Sequence, residues 1–156
     1  MGIAKFDWRN MRPAHKLHRF LYTIGLGSVV GHLVLLLTTT GRKSGHKRIT
    51  PLQYEIIDDK YYLGAARGLK SDWVRNIEAD HHVEVRVKNR CFRGLAEIVT
   101  DQKQIADFLE VRLSRHPFMI GLIMEKAHNL PRHPSRQQLE ELAAKEVVIV
   151  ITPAGG

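Results

Sequence analysis

The chain has 156 residues, of which 44% are hydrophobic and 26% charged, so we expect one folded domain over residues 1 to 156 and exclude a wholly disordered chain. The 24 Lys and Arg residues exceed the 16 Asp and Glu residues, and the formal charge of +8 favours a polyanionic partner. The single cysteine, Cys91, excludes an internal disulfide and a cysteine-based zinc site.

The first part of the chain is expected to be an N-terminal helical extension of the domain, residues 1 to 29. It has no signal-peptide pattern, and no apolar stretch of the chain approaches the roughly 20 residues that span a bilayer. We therefore expect a cytoplasmic protein. Residues 13 to 27 place apolar side chains at helical spacing behind Pro13, which predicts an amphipathic helix. Its basic face predicts either simple solvation or peripheral contact with the inner face of a membrane.

The middle of the chain is dominated by short apolar or alternating runs, which predict strands. We predict strands at residues 32 to 39, 48 to 57, 60 to 66, 83 to 87 and 90 to 100, and a short helix at 72 to 79. Asp58-Asp59 and Lys88-Asn89 are turn pairs, which predict hairpins over residues 48 to 66 and 83 to 100. Hairpins imply antiparallel pairing.

The last third of the chain changes to helical spacing. It predicts helices at residues 101 to 116 and 135 to 145, the second opened by a Ser135/Gln138 capping box, and a final strand at 146 to 153. Residues 117 to 127 are apolar and fit either a helix or a loop that wraps the core. Strands followed by helices and one more strand predict an α+β fold, a small antiparallel barrel that the last strand helps to close.

The loop between the first two strands, in "TTTGRKSGHKR" at residues 38 to 48, concentrates cationic side chains between two glycines. Gly41 and Gly45 are expected to adopt positive φ and turn their amides inward. Amides, hydroxyls and guanidinium groups that converge on one loop predict a phosphate-binding cradle. The loop matches neither the Walker pattern nor the dinucleotide fingerprint, because its spacing differs and a strand follows it.

Two other interpretations of this loop are a solvated hairpin tip and a nucleic-acid patch. Residues 38 to 50 contain no aromatic side chain, which argues against nucleic acid as a partner. The chain also lacks G-x-S-x-G, H-E-x-x-H and a clear carboxylate pair. We therefore predict no catalytic side chain and no metal site, and we expect an organic cofactor to supply any chemistry.

Three stretches together, "LLLTTTGRKSGHKRITPLQY", "YYLGAARG" and "SDWVRNIEADHHVEVRV", resemble the deazaflavin-dependent nitroreductase family. The family pattern is a T-T-G-R-K-[ST]-G-x-x-R loop with a following proline, a strand ending in small residues, and a W-x-x-N helix before an alternating strand. All three elements occur here in order. The resemblance implies an antiparallel split β-barrel of about six strands with flanking helices, like that of FMN-binding proteins.

The resemblance also implies an oxidoreductase that uses coenzyme F420, a deazaflavin carrying a phosphate and a polyglutamate tail. Hydride would pass from the reduced cofactor to a quinone, a nitroaromatic or an activated enone. FMN is the alternative cofactor, and a non-enzymatic flavin- or tetrapyrrole-binding protein is the alternative function. Related split barrels often form dimers, so a homodimer is left open.

The implied cofactor-binding residues fall into four groups along the chain. The resemblance places Arg42, Lys43 and Ser44 at the phosphate and tail, and Arg48, Ile49, Thr50, Pro51 and Gln53 along the ring and linker. It places the small residues Ala65 and Ala66 beside the ring, followed by Arg67 near the tail. The closing helix contributes Asp72, Trp73 and Asn76. Two of these residues also have structural interpretations. Trp73 fits a core anchor, and Asn76 fits a hydrogen bond between helix and strand.

Overall fold

The computed structural model describes residues 34–65 and 67–155 of the chain. The elements in chain order are β1 Val34–Thr40, β2 Lys47–Gln53, β3 Glu55–Ile57, β4 Lys60–Ala65, a 3-10 turn Gly68–Lys70, α1 Asp72–Ala79, β5 His82–Val87, β6 Arg90–Val99, α2 Gln102–Arg115, α3 Pro117–His128, α4 Arg136–Ala143 and β7 Val147–Pro153. The predicted N-terminal helical extension lies outside the described residues.

The described strands form one sheet in the order β2-β1-β5-β6-β7-β4-β3, and every neighbouring pair is antiparallel. The two edge strands, β2 and β3, are separated in the chain by Tyr54 alone. The sheet must therefore curl until its two edges approach each other, which makes a partly closed barrel. The predicted antiparallel split barrel is confirmed, and β7 closes it as expected by lying between β6 and β4.

The predicted strand at residues 48 to 57 is wrong as a single element. Its first part, β2, pairs with β1, whereas its last three residues, β3, pair with β4. The hairpin is therefore limited to β3 and β4, with Asp58 and Asp59 at φ 51° and 63° in the turn. The chain passes from one sheet edge to the other at buried Tyr54, and partial alternation of apolar residues carries no information about such a change of partner.

Two apolar clusters lie on opposite faces of the curled sheet. The barrel interior holds residues such as Leu37, Val85 and Ile149, and Trp73 of α1 packs against this cluster. The outer face of β7 packs instead against α2, α3 and α4 through Val148 and Val150. Strand β7 is consequently buried on both faces, which explains its continuous apolar sequence.

Two of the three C-terminal helices, α2 and α4, begin at residues whose side chains cap them. The side chain of Asp101 accepts a hydrogen bond from the amide of Gln104 at the start of α2, at 3.0 Å. The predicted Ser135/Gln138 capping box is confirmed at the start of α4. The apolar stretch at 117 to 127 is a helix rather than a loop. Among the described residues, none of the helices combines the length and apolar character needed to cross a bilayer.

Candidate functional site

The β1–β2 loop is a tight turn closed by two backbone hydrogen bonds. The amide of Gly45 donates to the carbonyl of Gly41 at 2.8 Å, and the amide of Gly41 donates to the carbonyl of His46 at 2.7 Å. Gly45 has φ 72°, as expected, but the expectation of positive φ at Gly41 is wrong. A Cβ at Gly41 would lie 2.9 Å from Ser44 Oγ and 3.0 Å from the His46 carbonyl oxygen, so close approach requires this glycine.

Most of the amides in this turn are already used within the protein. Besides the two glycine amides, that of Arg42 donates to Asn76 Oδ1 at 3.2 Å, and that of His46 donates to Ser44 Oγ at 3.2 Å. The amides of Lys43 and Ser44 have no hydrogen-bond partner in the part of the chain that the structure describes. The backbone part of the predicted phosphate cradle is therefore two adjacent amides rather than the whole loop.

Four residues, Thr39, Arg42, Asp72 and Asn76, attach this loop to helix α1, and we call them the loop clasp. Asn76 donates through Nδ2 to Thr39 Oγ1 at 3.2 Å, and both residues are buried. This is the hydrogen bond between helix and strand that the sequence offered as the structural interpretation of Asn76. Because Asn76 Oδ1 also accepts from the loop, one buried amide side chain joins β1, the loop and α1.

The guanidinium group of Arg42 completes the loop clasp. Its Nη1 donates to Asn76 Oδ1 at 2.9 Å and to the Asp72 carbonyl at 3.4 Å, and its Nη2 lies 3.2 Å from Asp72 Oδ1. The Arg42 side chain is 24% exposed, whereas that of Asp72 is 86% exposed. Solvated carboxylates contribute little to stability through such pairs, so this contact positions the loop and is open to exchange with another anion.

A cleft of about 430 Å³, which we call the loop cleft, lies between the loop, β2 and α1. Its lining residues are Gly41, Arg42, Lys43, Ser44, Arg48, Ile49, Thr50, Asp72, Trp73 and Asn76. All of them except Gly41 are predicted cofactor-binding residues. Three lining residues are cationic and one is anionic, so the cleft favours an anion. Trp73 packs against the barrel core, as a core anchor would, and it also lines this cleft. Its contact with a cofactor stays a prediction.

The other predicted cofactor-binding residues do not line the loop cleft. Pro51 and Ala65 are buried in the sheet, and Arg67 is exposed just before the 3-10 turn. Gln53 accepts a hydrogen bond from Arg112 Nη2 at 2.7 Å and so faces α2. Ala66 lies outside the described residues. The contacts of Pro51, Gln53, Ala65 and Ala66 with the cofactor ring and linker thus stay predictions.

A second ionic cluster, which the sequence interpretation missed, surrounds Glu55, and we call it the Glu55 cluster. The buried Glu55 carboxylate lies 2.9 Å from His116 Nε2, 3.2 Å from Arg115 Nη1 and 3.8 Å from Arg112 Nε. Burial lowers the pKa of Arg112, partly offset by the charge of Glu55. The spacing of the three basic residues, Arg112, Arg115 and His116, at the end of α2 is the one signal in the sequence, because it places them on neighbouring faces of a helix.

The described strands define a split-barrel protein whose loop cleft is lined by more cationic than anionic residues, and the comparisons with known proteins agree on the fold. The sequence pattern of the family described as F420H(2)-dependent quinone reductase matches residues 14–117. The chain belongs to this family, which confirms the F420-dependent family that the loop, strand and helix motifs predicted.

An individual relative matches a shorter part of the chain than the family pattern does. F420H(2)-dependent quinone reductase Rv1261c of Mycobacterium tuberculosis (strain ATCC 25618 / H37Rv) is 32% identical over 93 residues, which cover 54% of this chain and 62% of that protein. The alignment therefore spans less than two thirds of the relative's own length.

Two solved structures share the fold of this chain. The conserved hypothetical protein Rv2991 from Mycobacterium tuberculosis has a TM-score of 0.54 at 18% identity, covering 90% of this chain and 80% of that one. A protein titled F420 Reductase has a TM-score of 0.51 at 20% identity, covering 80% and 88% respectively. At these identities the likeness shows the architecture alone.

Proposed function

We propose that this protein is an F420-dependent oxidoreductase that holds the phosphate of the deazaflavin in the loop cleft and reduces a small organic acceptor. The observation that carries the proposal is the cationic loop cleft, which is built from the β1–β2 loop and helix α1 in a chain of this family. The family description names F420H(2) as the reductant and a quinone as the acceptor.

The residues of the loop cleft fit a phosphorylated ligand. Two adjacent amides, those of Lys43 and Ser44, have no partner among the described residues, and consecutive amides of this kind bind phosphate oxygens. Lys43 and Arg48 add positive charge to the same cleft. A volume of about 430 Å³ lies within the range of small-molecule sites, about 300 to 1,000 Å³.

When bound, the reduced deazaflavin supplies a hydride, and the chain itself supplies position and charge. The loop clasp fixes the anion-binding loop before the ligand arrives, so less free energy is spent on ordering the loop. Trp73 and Ile49 give the cleft apolar walls, which support a flat ring system and help to exclude water. We assign no catalytic acid or base.

Several finer points stay within the proposal. A quinone is the favoured acceptor because of the family description, and nitroaromatics and activated enones are the predicted alternatives. FMN is the alternative cofactor, since it also carries a phosphate and a tricyclic ring. Cytoplasmic location, peripheral membrane contact and a homodimer are predictions from the sequence.

The test is anaerobic mixing of the protein with F420H2 and a soluble naphthoquinone, followed at the absorbance of oxidised F420. We expect oxidation that requires both protein and quinone, with parallel reactions for a nitroaromatic and an enone. Reduced FMN in place of F420H2 forms the second arm. Tight binding of either cofactor without turnover of any acceptor would contradict the enzyme and favour a carrier, and turnover with reduced FMN alone would contradict F420 as the cofactor.

A further inference from the structure

The Asp72 carboxylate lies where its charge opposes the binding of an anion in the loop cleft. Asp72 lines the cleft together with Arg42, and it is the acidic member of the lining residues. The sequence placed Asp72 among the cofactor-binding residues, yet an ionised carboxylate offers only hydrogen-bond acceptors and repels a phosphate. Any effect of Asp72 on an anion in this cleft therefore depends on its contact with Arg42.

The two terminal nitrogens of Arg42 are held in different ways. Nη1 donates to Oδ1 of buried Asn76 at 2.9 Å and to the backbone carbonyl of Asp72 at 3.4 Å. Within residues 34–65 and 67–155, Nη2 has one partner, the Asp72 carboxylate, whose Oδ1 lies 3.2 Å away. The guanidinium is therefore anchored at Nη1 by a buried amide and a backbone group, whereas Nη2 is held by an exposed side chain that can rotate away.

An anion in the loop cleft competes with Asp72 for this nitrogen. Lys43 and Ser44, whose amides have no partner among the described residues, line the cleft together with Arg42. A phosphate group has three acceptor oxygens, so it can take these amides and a guanidinium nitrogen together. Binding then replaces the contact between Arg42 and Asp72, and the free energy of that contact is subtracted from the free energy of binding.

We propose that Asp72 is an internal competitor of the ligand, which holds Nη2 of Arg42 when no ligand is bound and is exchanged for a phosphate oxygen on binding. This inference rests on the proposed function, since it takes the phosphate to occupy the loop cleft. A ligand with contacts beyond its phosphate offsets the exchange, whereas inorganic phosphate has only the loop to bind. Asp72 is thus a specificity-determining residue that lowers the affinity of the cleft for small anions.

The experiment measures anion binding in the wild-type protein, Asp72→Asn, Arg42→Gln and the double variant. Asparagine keeps the shape of Asp72 and removes its charge, while Arg42 keeps its hydrogen bonds to Asn76 and the backbone. F420 binding is followed by its fluorescence, and inorganic phosphate by the amide NMR signals of Lys43 and Ser44. Asp72→Asn should strengthen the binding of both about two- to fivefold, the range of one exposed ion pair. In the Arg42→Gln background the same substitution should leave both affinities unchanged.

Glu78→Gln is the matched control, because Glu78 is an exposed acidic residue of the same helix that does not line the loop cleft, and it should leave both affinities unchanged. Unchanged or weaker binding in Asp72→Asn would overturn the exchange. Equal strengthening by Glu78→Gln, or an undiminished gain in the Arg42→Gln background, would also overturn it, since general repulsion would then explain the gain. The expected phosphate results without F420 binding would contradict the proposed function alone, and binding of neither anion would contradict both.

Discussion

The loop clasp and the Glu55 cluster use the same chemistry in opposite surroundings. Each pairs arginine with a carboxylate and ties a helix to the strand region, but the Asp72 side chain is 86% exposed and that of Glu55 is 6% exposed. Charges that remain hydrated exchange partners readily, whereas buried charges are costly to separate. The difference indicates that the exposed pair contributes little to stability, whereas the buried cluster fastens α2 to the edge strand β3.

The largest expected effect comes from removing the two carboxylates in turn. Glu55→Ala leaves the buried Arg112 guanidinium without its nearest counter-charge and should lower the free energy of unfolding by about 3 to 5 kcal/mol. Asp72→Ala should cost at most about 1 kcal/mol, because its carboxylate is solvated. Urea unfolding of both variants measures the two costs. Similar losses of unfolding free energy in the two variants would contradict the different contributions assigned to the buried and the exposed carboxylate.

The second expected effect is a pH dependence of folding stability that arises from the carboxyl group of Glu146. Burial raises the pKa of Glu146 to about 7 from 4.5, although the charge of Arg112 opposes this. The folded state therefore binds a proton that the unfolded state has released, so this group lowers stability as pH rises from 4.5 to about 7. The loss should reach about 3 kcal/mol above that window.

Glu146→Gln isolates this contribution, because glutamine does not titrate. The variant should gain stability over the wild-type protein as pH rises from 4.5 to 8, measured by urea unfolding at each pH. Burial also lowers the pKa of His128, which makes stability rise with pH below 6.5. Because His128 Nε2 lies 3.7 Å from Glu146 Oε1, the comparison is repeated in a His128→Gln background, where only Glu146 differs as a titrating group. Parallel pH profiles for the two proteins would contradict a raised pKa at Glu146.

The third effect tests the buried centre of the loop clasp. Asn76→Ala removes a side chain that bonds Thr39 and the loop, and should cost about 1 to 3 kcal/mol of unfolding free energy. Hydrogen exchange at residues 41 to 46 should accelerate, because the loop loses its attachment to α1. Asn89→Ala, in an exposed turn, is the control. Unchanged exchange in the Asn76 variant would show that the clasp does not hold the loop.

The smallest effect separates binding from positioning within the loop. Lys43→Ala should raise the Kd for F420 about fivefold, equivalent to about 1 kcal/mol, with stability unchanged within about 0.5 kcal/mol. Arg42→Ala should change both quantities, since Arg42 also holds the loop on α1, while turnover at saturating F420 is largely retained. Titration with F420 measures the Kd of each variant, and urea unfolding measures its stability. A collapse of turnover with unchanged affinity in the Arg42 variant would contradict its binding role.

Local features of this fold were predictable from the sequence. The Asp58-Asp59 turn, the capping box of α4 and the tight turn at Gly45 all depend on neighbours a few positions away. Residue types at such spacings carry their own geometric preferences, so short sequence patterns report them.

Features that join distant parts of the chain were not predictable. Arg42 meets Asp72 and Asn76 across 30 and 34 positions, and Arg112 meets Gln53 across 59. The change of strand partner at Tyr54 depends likewise on how the whole sheet curls. Such contacts arise from tertiary packing, to which hydrophobic periodicity is blind. This is why the sequence indicated the loop as an anion site and offered a helix–strand hydrogen bond for Asn76, but did not reveal the contacts of Arg42 that complete the loop clasp.

Equilibrium titration of the protein with F420, followed by the cofactor's fluorescence, tests the central claim most directly. The account predicts saturable binding with one site per chain, weakened strongly in a Lys43→Ala/Arg48→Ala double variant and much less by Arg86→Gln, which lies outside the cleft. Absence of binding, or equal affinity in the wild-type protein and the double variant, would contradict the loop cleft as the cofactor site.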